Sequence, residues 1–329
     1  MSELNYEHVF DVLVDKTAEY VTENNLKAMV LGISGGIDST VVAAICHEVS
    51  KKTGIPLIGR SLPIKNKEDE FSVSELVGEA FCDEFKVFNL SNSYKASLFD
   101  LCADAGLIKD CKGYDWYWVS DLEELTGRTP IANGNLQARC RMKHLYDIAS
   151  IRKGLVMSTD NQTEYQLGFW TIHGDVGDFD PIQDLWKTEV YELAEWLRMK
   201  YVKANQGHAD CYHDMGASQK EYAITQSIAL TPTDGLGISN SDLEQIGAKD
   251  YDTVDDILSR FIPFENFRKS YDSAGQIMHP HDEMAESDCW SQLCARHGED
   301  VVNKVWSRHL ASEFKRKKAP IYISRELYE

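Results

Sequence analysis

Residues 32–40 read GISGGIDST and directly follow the apolar run at 28–31. Small residues let several backbone N–H groups converge on phosphate oxygens, and a helix that begins there points its positive end at them. The serine hydroxyls add polar groups, and the carboxylate is a ligand type that suits the Mg²⁺ accompanying pyrophosphate. The stretch therefore favours a phosphate site over a plain strand-to-helix turn. The residues of this phosphate loop are Gly32, Ile33, Ser34, Gly35, Gly36, Ile37, Asp38 and Ser39.

The elements that must position this loop alternate between strands and helices. Hydrophobic periodicity predicts strands at 28–33, 55–62, 85–90 and 154–159, and helices at 6–24, 38–50, 68–83, 95–105, 135–150 and 187–199. Short helices are expected over 241–272 and one longer helix at about 297–317. Such alternation is typical of an α/β fold with a doubly wound parallel sheet flanked by helices. Its ligands gather at the carboxyl ends of the strands, where the loop is expected.

Two stretches interrupt the alternation, although we expect residues 1–329 to form a single domain. An insertion at about 106–132 contains YDWYW at 114–118, which is either the small core of the insertion or a platform for base stacking. Gly, His, Asp, Thr and Pro dominate 203–240, which predicts a loop with a mobile lid at about 203–235.

The charge and the cysteine content restrict the partners. The chain has 53 acidic and 34 basic residues and a net charge of −19, which argues against attraction to nucleic acid or to an anionic membrane. A small-molecule partner is therefore expected. No signal segment or membrane-spanning apolar run stands out, so a cytoplasmic location is expected. The eight cysteines form no C-x-x-C pair and are expected to be reduced thiols.

A second region narrows the interpretation: NGNLQARCRMKHLYDIAS at 133–150, followed by GLVMSTDNQTEYQLGFWTIHGDVGDFDPIQDLWKTEV at 154–190. The loop alone resembles that of enzymes that cleave ATP between its α- and β-phosphates to form an adenylate. With this region, the chain resembles NAD synthetases, whose sequences run G-N-x-x-A-R-x-R-M, G-T-x-x-x-x-E, G-x-x-T-x-x-G-D and P-x-x-x-L-x-K. The resemblance covers most of the chain, is weakest at 102–132 and 203–290, and implies a fold of the adenine nucleotide alpha hydrolase type.

The resemblance implies a role for each matched residue. The residues expected to act in catalysis are Asp38, Glu164, Asp178 and Lys187. Asp38 and Glu164 would hold Mg²⁺, while the phosphate loop, Thr159 and Lys187 would bind ATP. The residues expected to contact the deamidated dinucleotide are Arg139, Asp178, Phe314 and Lys315. The chemistry of the residues agrees, because Glu164 follows a predicted strand and a cation such as Lys187 can stabilise departing pyrophosphate.

The activity that the resemblance implies is ATP-dependent amidation of nicotinic acid adenine dinucleotide (deamido-NAD) to NAD, through an adenylate and with release of AMP and pyrophosphate. It also implies a homodimer with the dinucleotide site at the subunit interface. Ammonia rather than glutamine is the expected nitrogen donor, unless another subunit supplies it, because the loop begins only 31 residues from the N-terminus and leaves no room for a glutaminase domain. Asp178 is the expected acceptor for a proton of ammonium.

Three departures from the family pattern concern the dinucleotide site: Ile172, His208 and Phe314, the last of which resembles glutamine-dependent members. Two other functions stay open. A non-catalytic nucleotide sensor would not need the retained Asp38, Glu164 and Lys187, and an enzyme of the same loop family acting on tRNA does not suit the acidic charge.

Two smaller features each have two interpretations. The residues with spacings suited to zinc are His208, Cys211 and His213, or His279 and His281, although such loop residues are more often solvated. The basic run Lys315–Lys318 suits either the phosphates of a dinucleotide or a solvated helix end.

Overall fold

The computed structural model describes residues 4–64, 68–106, 127–206, 215–232, 241–273 and 280–316. Within these residues, four strands form one parallel sheet: Met29–Gly32 (β1), Leu57–Ser61 (β2), Glu84–Val87 (β3) and Leu155–Val156 (β4). Their order is β3-β2-β1-β4, so the chain crosses to the other side of β1 between β3 and β4. The crevice between the carboxyl ends of β1 and β4 is therefore the switch point at which such sheets bind ligands. The predicted doubly wound parallel sheet is confirmed.

The helices of the described residues cover the sheet and form a C-terminal bundle. The helices before β4 are Tyr6–Glu23 (α1), Ile37–Thr53 (α2), Glu68–Phe81 (α3), Ser91–Asp104 (α4) and Pro130–Arg152 (α5). Those after β4 are Gln162–Leu167 (α6), Lys187–Gln206 (α7), Met215–Ala229 (α8), Asp242–Ile246 (α9), Tyr251–Ser273 (α10), Pro280–His297 (α11), Glu299–Ala311 (α12) and Glu313–Arg316 (α13).

Strand β1 is buried because helices cover both faces of the sheet. Met29 and Leu31 belong to a core shared with α1, α2, α7 and α8, whereas Val30 belongs to a second core with α4 and α5. Side chains of a strand alternate between its faces, so the continuous apolar sequence of β1 is what a strand covered on both sides requires. This buried strand fixes the start of the phosphate loop.

A third core belongs to the C-terminal bundle, formed by α9 to α12. Val254, Leu258 and Val302 are fully buried there. Leu167, the last residue of α6, packs into the same core. The bundle therefore lies directly against the short helix that follows β4, next to the switch point.

The prediction of a loop over 203–240 is wrong for a large part of that range. Helix α7 continues to Gln206, and α8 places Ala223 and Ile224 in the core that contains Met29 and Leu31. The Ala, Ser and Thr residues of α8 are small enough to pack closely against neighbouring helices, a property that composition alone does not separate from that of a loop. The mobility of 203–235 stays a prediction.

Two predictions for the C-terminal part are also wrong: α10 is one helix of 23 residues rather than several short ones, and 297–317 is not a single helix. Gly298, with a φ of 87°, separates α11 from α12, and Ser312 separates α12 from α13. Gly298 ends α11 because a residue with positive φ ends a helix and glycine adopts that conformation most easily. Ser312 has a negative φ of −93°, and its hydroxyl donates to the Gln166 carbonyl of α6 at 3.2 Å. The predicted C-terminal boundary of the insertion, residue 132, is also too late, because α5 already begins at Pro130.

Several predicted features lie outside the described side chains: the aromatic residues 114–118, His208, Cys211, His213, His279 and His281. In the part of the chain that the structure describes, the six cysteines are free thiols. The same part contains no group of three or more His, Cys, Asp or Glu side chains arranged to hold a metal ion. None of its helices has the length and apolar character needed to cross a membrane.

Candidate active site

The phosphate loop begins where β1 ends at Gly32, passes Gly36, the N-cap residue of α2, and includes the first three residues of that helix. Gly35 has a φ of 88°, a left-handed conformation that glycine adopts without strain. The Ser34 hydroxyl accepts a hydrogen bond from the Gly36 N–H at 3.2 Å and lies 3.0 Å from the Ser39 hydroxyl. No side chain caps the N-terminus of α2, so the first N–H groups of this helix can meet an anion.

Two of the predicted loop residues can contribute only their main chain. The side chains of Ile33 and Ile37 are 2% and 3% exposed and belong to the same core as Met29 and Leu31. The Thr40 hydroxyl donates to the Gly36 carbonyl at 3.0 Å and lies 2.8 Å from the hydroxyl of Ser227 on α8. Helix α8 therefore supports the phosphate loop from inside the core.

A cluster of charged side chains forms where three helices begin at the switch point. Asp38 is the second residue of α2, Glu164 the third of α6, and Lys187 the first of α7. The Lys187 ammonium donates to Asp38 Oδ2 at 2.5 Å and to Glu164 Oε1 at 3.0 Å. Lys187 is only 2% exposed. Three residues predicted from separate motifs thus meet in one place, which we call the carboxylate–lysine cluster.

Asn161 connects the two carboxylates of this cluster. Its Oδ1 accepts from the Glu164 N–H at 3.0 Å, its own N–H donates to Glu164 Oε2 at 3.4 Å, and its Nδ2 donates to Asp38 Oδ1 at 2.9 Å. The first two bonds form a capping box at the start of α6, which fixes the backbone of Glu164. Sequence reasoning missed Asn161, although the N-x-x-E spacing of a capping box was present.

The electrostatics of the cluster favour the charged form of Lys187 but not that of Glu164. Burial alone would lower the pKa of the Lys187 ammonium, but the Asp38 and Glu164 carboxylates outweigh it and hold that pKa well above its ordinary value. Burial raises the pKa of Glu164 to about 7, although the Lys187 ammonium opposes that rise. When both carboxylates are ionised they share one ammonium, and the cluster then has one negative charge left for a further cation.

An acidic edge lies beside the cluster and was also missed from the sequence. Asp160 Oδ2 accepts from the Ser158 hydroxyl at 2.7 Å, and the Asp160 N–H donates to Asp180 Oδ2 at 3.1 Å. Burial raises the pKa of Asp180 to about 7. Burial also raises the pKa of Asp160, which the nearby Asp175 and Glu164 carboxylates raise further. The acidic edge can therefore hold protons near neutral pH.

The residues predicted for the dinucleotide bond to groups of the protein itself: Arg139 and Lys315 to carbonyls of 168–172, and Asp178 to Val156 and Tyr146. The exposed Arg139 donates to the Ile172 carbonyl at 3.1 Å. Asp178 Oδ2 accepts from the Val156 N–H at 2.9 Å, and its Oδ1 accepts from the Tyr146 hydroxyl at 3.1 Å. Both oxygens of Asp178 therefore hold donors from the protein itself.

The C-terminal tail approaches the same segment. The Lys315 ammonium donates to the carbonyls of Gly168 and Trp170 at 2.6 and 2.5 Å, so it attaches α13 to this part of the chain. Phe314 is 57% exposed. Thr159 is half-buried, just past the end of β4. The roles proposed for these residues toward substrates stay predictions.

The strand order, the glycine and serine loop and the carboxylate–lysine cluster define a nucleotide-binding protein of the adenine nucleotide alpha hydrolase fold. Residues 9–319 match the family model described as NAD synthase, and the chain belongs to that family. The resemblance to NAD synthetases is therefore confirmed.

Individual relatives agree with this assignment. The chain is 28% identical over 260 residues to the NH3-dependent NAD(+) synthetase of Methanococcoides burtonii, and the aligned segment covers 78% of this chain and 80% of that protein. It superposes on the NMN synthetase of Francisella tularensis with a TM-score of 0.64 at 21% identity, over 98% of this chain and 100% of that one. It also superposes on the NH3-dependent NAD synthetase of Campylobacter jejuni with a TM-score of 0.58 at 19% identity, over 97% and 100%.

Proposed function

We propose that the protein converts deamido-NAD to NAD, with ATP as the activating substrate, ammonia as the nitrogen donor, and AMP and pyrophosphate as the other products. The observation that carries this proposal is the carboxylate–lysine cluster at the end of the phosphate loop, in a chain of the NAD synthase family. The enzyme is a ligase, and its curated relatives are described as NH3-dependent NAD(+) synthetases.

The reaction needs activation because a carboxylate is a poor electrophile. A carboxylate oxygen of the nicotinate attacks the α-phosphorus, the bond from this phosphorus to the bridging oxygen breaks, and pyrophosphate leaves. Ammonia then attacks the carbonyl carbon of the adenylate, AMP leaves with the oxygen that joined the two groups, and a proton is released. No protein nucleophile is required. Lys187, held at the phosphate loop, can stabilise the charge that grows on departing pyrophosphate.

We propose Mg²⁺ as the cofactor, bound by Asp38 and Glu164. Mg²⁺ is commonly held by one or two carboxylates together with substrate phosphates, and these two carboxylates retain negative charge beyond what Lys187 neutralises. When bound, the ion would neutralise phosphate charge. Lys187, Asn161 and the capping box of α6 keep both carboxylates at the switch point.

Two carboxylates are candidates to accept a proton from ammonium. Asp178 is the acceptor that the sequence suggests, and its contact with the nicotinate also stays a proposal. Asp180 is a second candidate, since burial raises its pKa to about 7 and its Oδ2 faces the Asp160 N–H. A group whose pKa lies near the working pH is the better proton acceptor in such a step.

We also propose a homodimer, in which α5 contributes to the contact between copies. Ile131, Tyr146 and Ile151 on this helix are exposed, and the exposed Phe88 stacks on the His144 ring at 5.1 Å. Exposed apolar side chains along one element favour burial against a partner. Light scattering at several protein concentrations tests this assembly. A cytoplasmic location stays a prediction.

The two alternative functions have less support. A nucleotide sensor is not favoured, because the chain has the assembled cluster of an adenylating site and catalytic relatives. A tRNA substrate is not favoured by the net charge of −19.

The test incubates the protein with ATP, Mg²⁺, ammonium chloride and deamido-NAD and measures NAD, AMP and pyrophosphate. We expect the three products in equal amounts, and no NAD when ammonia-free glutamine replaces ammonium. A parallel reaction contains nicotinic acid mononucleotide, because one solved neighbour is described as an NMN synthetase. Faster amidation of the mononucleotide would contradict the proposed substrate, and ATP turnover without any amide product would contradict the proposed reaction.

A further inference from the structure

Asp255 is a buried carboxylate that joins the C-terminal bundle to the carboxylate–lysine cluster. It lies on α10 and is 0% exposed. Its Oδ1 accepts from the Thr163 hydroxyl on α6 at 2.5 Å, and its Oδ2 accepts from the Thr188 N–H on α7 at 3.0 Å. Each oxygen of this one carboxylate therefore holds a different helix.

Thr163 extends this connection to the catalytic lysine. Its hydroxyl oxygen accepts from the Lys187 N–H at 2.9 Å while its proton goes to Asp255. The first N–H groups of a helix have no partner within the helix and need one from elsewhere. Thr163 and Asp255 supply partners for the N–H groups of Lys187 and Thr188, so together they cap α7.

These bonds lie next to two side chains of the carboxylate–lysine cluster, those of Glu164 and Lys187. Thr163 directly precedes Glu164, and Lys187 directly precedes Thr188. The same helix α10 also supplies Tyr251, whose ring centroid lies 5.7 Å from Lys187 Nζ. The bundle thus contacts the cluster through the backbone on one side and through the ammonium on the other.

On the basis of the proposed function, we infer that Asp255 is a positioning residue for ATP cleavage. It holds the starts of α6 and α7 at the spacing that places Lys187 Nζ 3.0 Å from Glu164 and 2.5 Å from Asp38. The hydrogen bonds of Asp255 go to the Thr163 hydroxyl and the Thr188 N–H rather than to the side chains of the cluster. Asp255 therefore acts on the cluster through Thr163 and the backbone. The C-terminal bundle thereby sets the geometry of the phosphate chemistry.

The neighbouring residue provides a matched control. Asp256 lies on the same helix and accepts from Arg260 Nε at 2.5 Å and from Arg296 Nη1 at 3.0 Å, and it lies 2.8 Å from His297 Nε2. These contacts hold α10 to α11 within the bundle and lie away from the cluster. A loss that arises only from a weakened bundle must therefore occur at both aspartates, whereas a positioning effect occurs at Asp255 alone.

The experiment compares D255N with D256N in the assay for NAD and pyrophosphate, together with thermal unfolding. Misplacement of a catalytic group by about 1 Å can cost about 100-fold in rate, so we expect kcat of D255N to fall by about 100-fold. The KM for ATP should change by less than about threefold, because D255N leaves the phosphate loop intact. D256N should keep kcat within about threefold, even if its melting temperature falls as far as that of D255N.

Variants of Thr163 keep the inference testable if D255N folds poorly. T163S retains the hydroxyl and should keep kcat within about threefold, whereas T163V should lose about as much as D255N. The double variant D255N/T163V should lose less than the product of the two single losses, because both single variants break the same Thr163–Asp255 bond. Normal kcat in D255N, equal kcat losses in D255N and D256N, or additive losses in the double variant would overturn the inference. An inactive wild-type protein would instead contradict the proposed function.

Discussion

The two sides of the candidate site are built differently. On the phosphate side, Lys187 bonds to Asp38 across 149 positions of sequence and to Glu164 across 23, and Lys187 is 2% exposed. On the dinucleotide side, Arg139 and Lys315 are bonded to backbone carbonyls of the 168–172 segment, and Phe314 is 57% exposed. The phosphate side is thus assembled by the fold itself, whereas Arg139, Lys315 and Phe314, which we propose for the dinucleotide, bond only to the backbone or, as for Phe314, are exposed.

Physical chemistry explains this contrast. A buried charge is strongly destabilising unless it is paired, so a buried lysine needs its carboxylates in place whether or not ATP is bound. Exposed polar groups have water as an alternative partner, and the fold does not depend on their mutual geometry. Substitutions on the phosphate side should therefore lower kcat, and those on the dinucleotide side should raise KM for the dinucleotide.

The largest effect is expected for K187M. Loss of the ammonium leaves two neighbouring carboxylates without their cation and removes stabilisation of the departing pyrophosphate, so kcat should fall by about 1,000-fold. Pyrophosphate release measures this step. The control is K200M on the same helix, whose ammonium lies over the Phe10 and Trp196 rings and away from the cluster. A K187M rate within tenfold of wild type would contradict the assembled phosphate side.

A somewhat smaller loss is expected for E164Q and for D38N. Each variant removes one of two carboxylates that we propose to hold Mg²⁺, so kcat should fall by about 100-fold and the Mg²⁺ concentration for half-maximal rate should rise. A Mg²⁺ titration of pyrophosphate release measures both. E192Q on α7, where Glu192 bonds to Tyr6, serves as the control. An unchanged Mg²⁺ requirement in both variants would argue against these carboxylates as its ligands.

The difference between the two sides also limits what the sequence could reveal. Asp38, Glu164 and Lys187 were found because they stand in motifs of fixed spacing, and the alternating elements correctly predicted a parallel sheet that brings them together. Asp255 was missed because it stands in a helix of the bundle far along the chain, and only the fold places it against α6 and α7. No local pattern reports such a long-range contact.

The failed predictions have a related cause. Residues 215–229 lie between segments rich in Gly, Asp and Pro, and the composition of the whole window concealed the small buried residues of α8. The role of Asp178 toward the substrate rests on its motif and stays a prediction; the structure adds that its two oxygens accept from the Val156 N–H and the Tyr146 hydroxyl. Sequence indicates which residue types are present, whereas the fold decides which partners satisfy them.

A moderate effect is expected for R139A on the dinucleotide side. The guanidinium is exposed and bonds to one carbonyl, so its loss should raise KM for deamido-NAD by about tenfold and leave KM for ATP and kcat within about threefold. Steady-state kinetics with each substrate varied in turn provides the measurement. R152A, at the end of the same helix and paired with Glu84, is the control. If R139A instead lowers kcat with no change in KM, the two sides do not differ as described.

The smallest effect concerns the pH dependence of stability through Asp180. Its pKa is raised to about 7, so the folded state binds a proton between about pH 4 and pH 7 that the unfolded state does not. The free energy of unfolding should therefore fall as pH rises through this range, by about 2 kcal/mol between about pH 5 and pH 7 from this group. D180N cannot ionise and should show a flatter dependence in denaturant titrations without nucleotide. Equal slopes for D180N and wild type would show that Asp180 does not titrate in this range.

The most direct test of the whole account follows the oxygen of the substrate carboxylate. Deamido-NAD labelled with ¹⁸O in the nicotinate carboxylate is incubated with the protein, ATP, Mg²⁺ and ammonium chloride, and the products are analysed by mass spectrometry. Attack of the carboxylate on the α-phosphorus predicts one ¹⁸O atom in AMP and none in pyrophosphate. Formation of ADP with ¹⁸O in inorganic phosphate, or NAD accompanied by unlabelled AMP, would contradict the proposed adenylate chemistry.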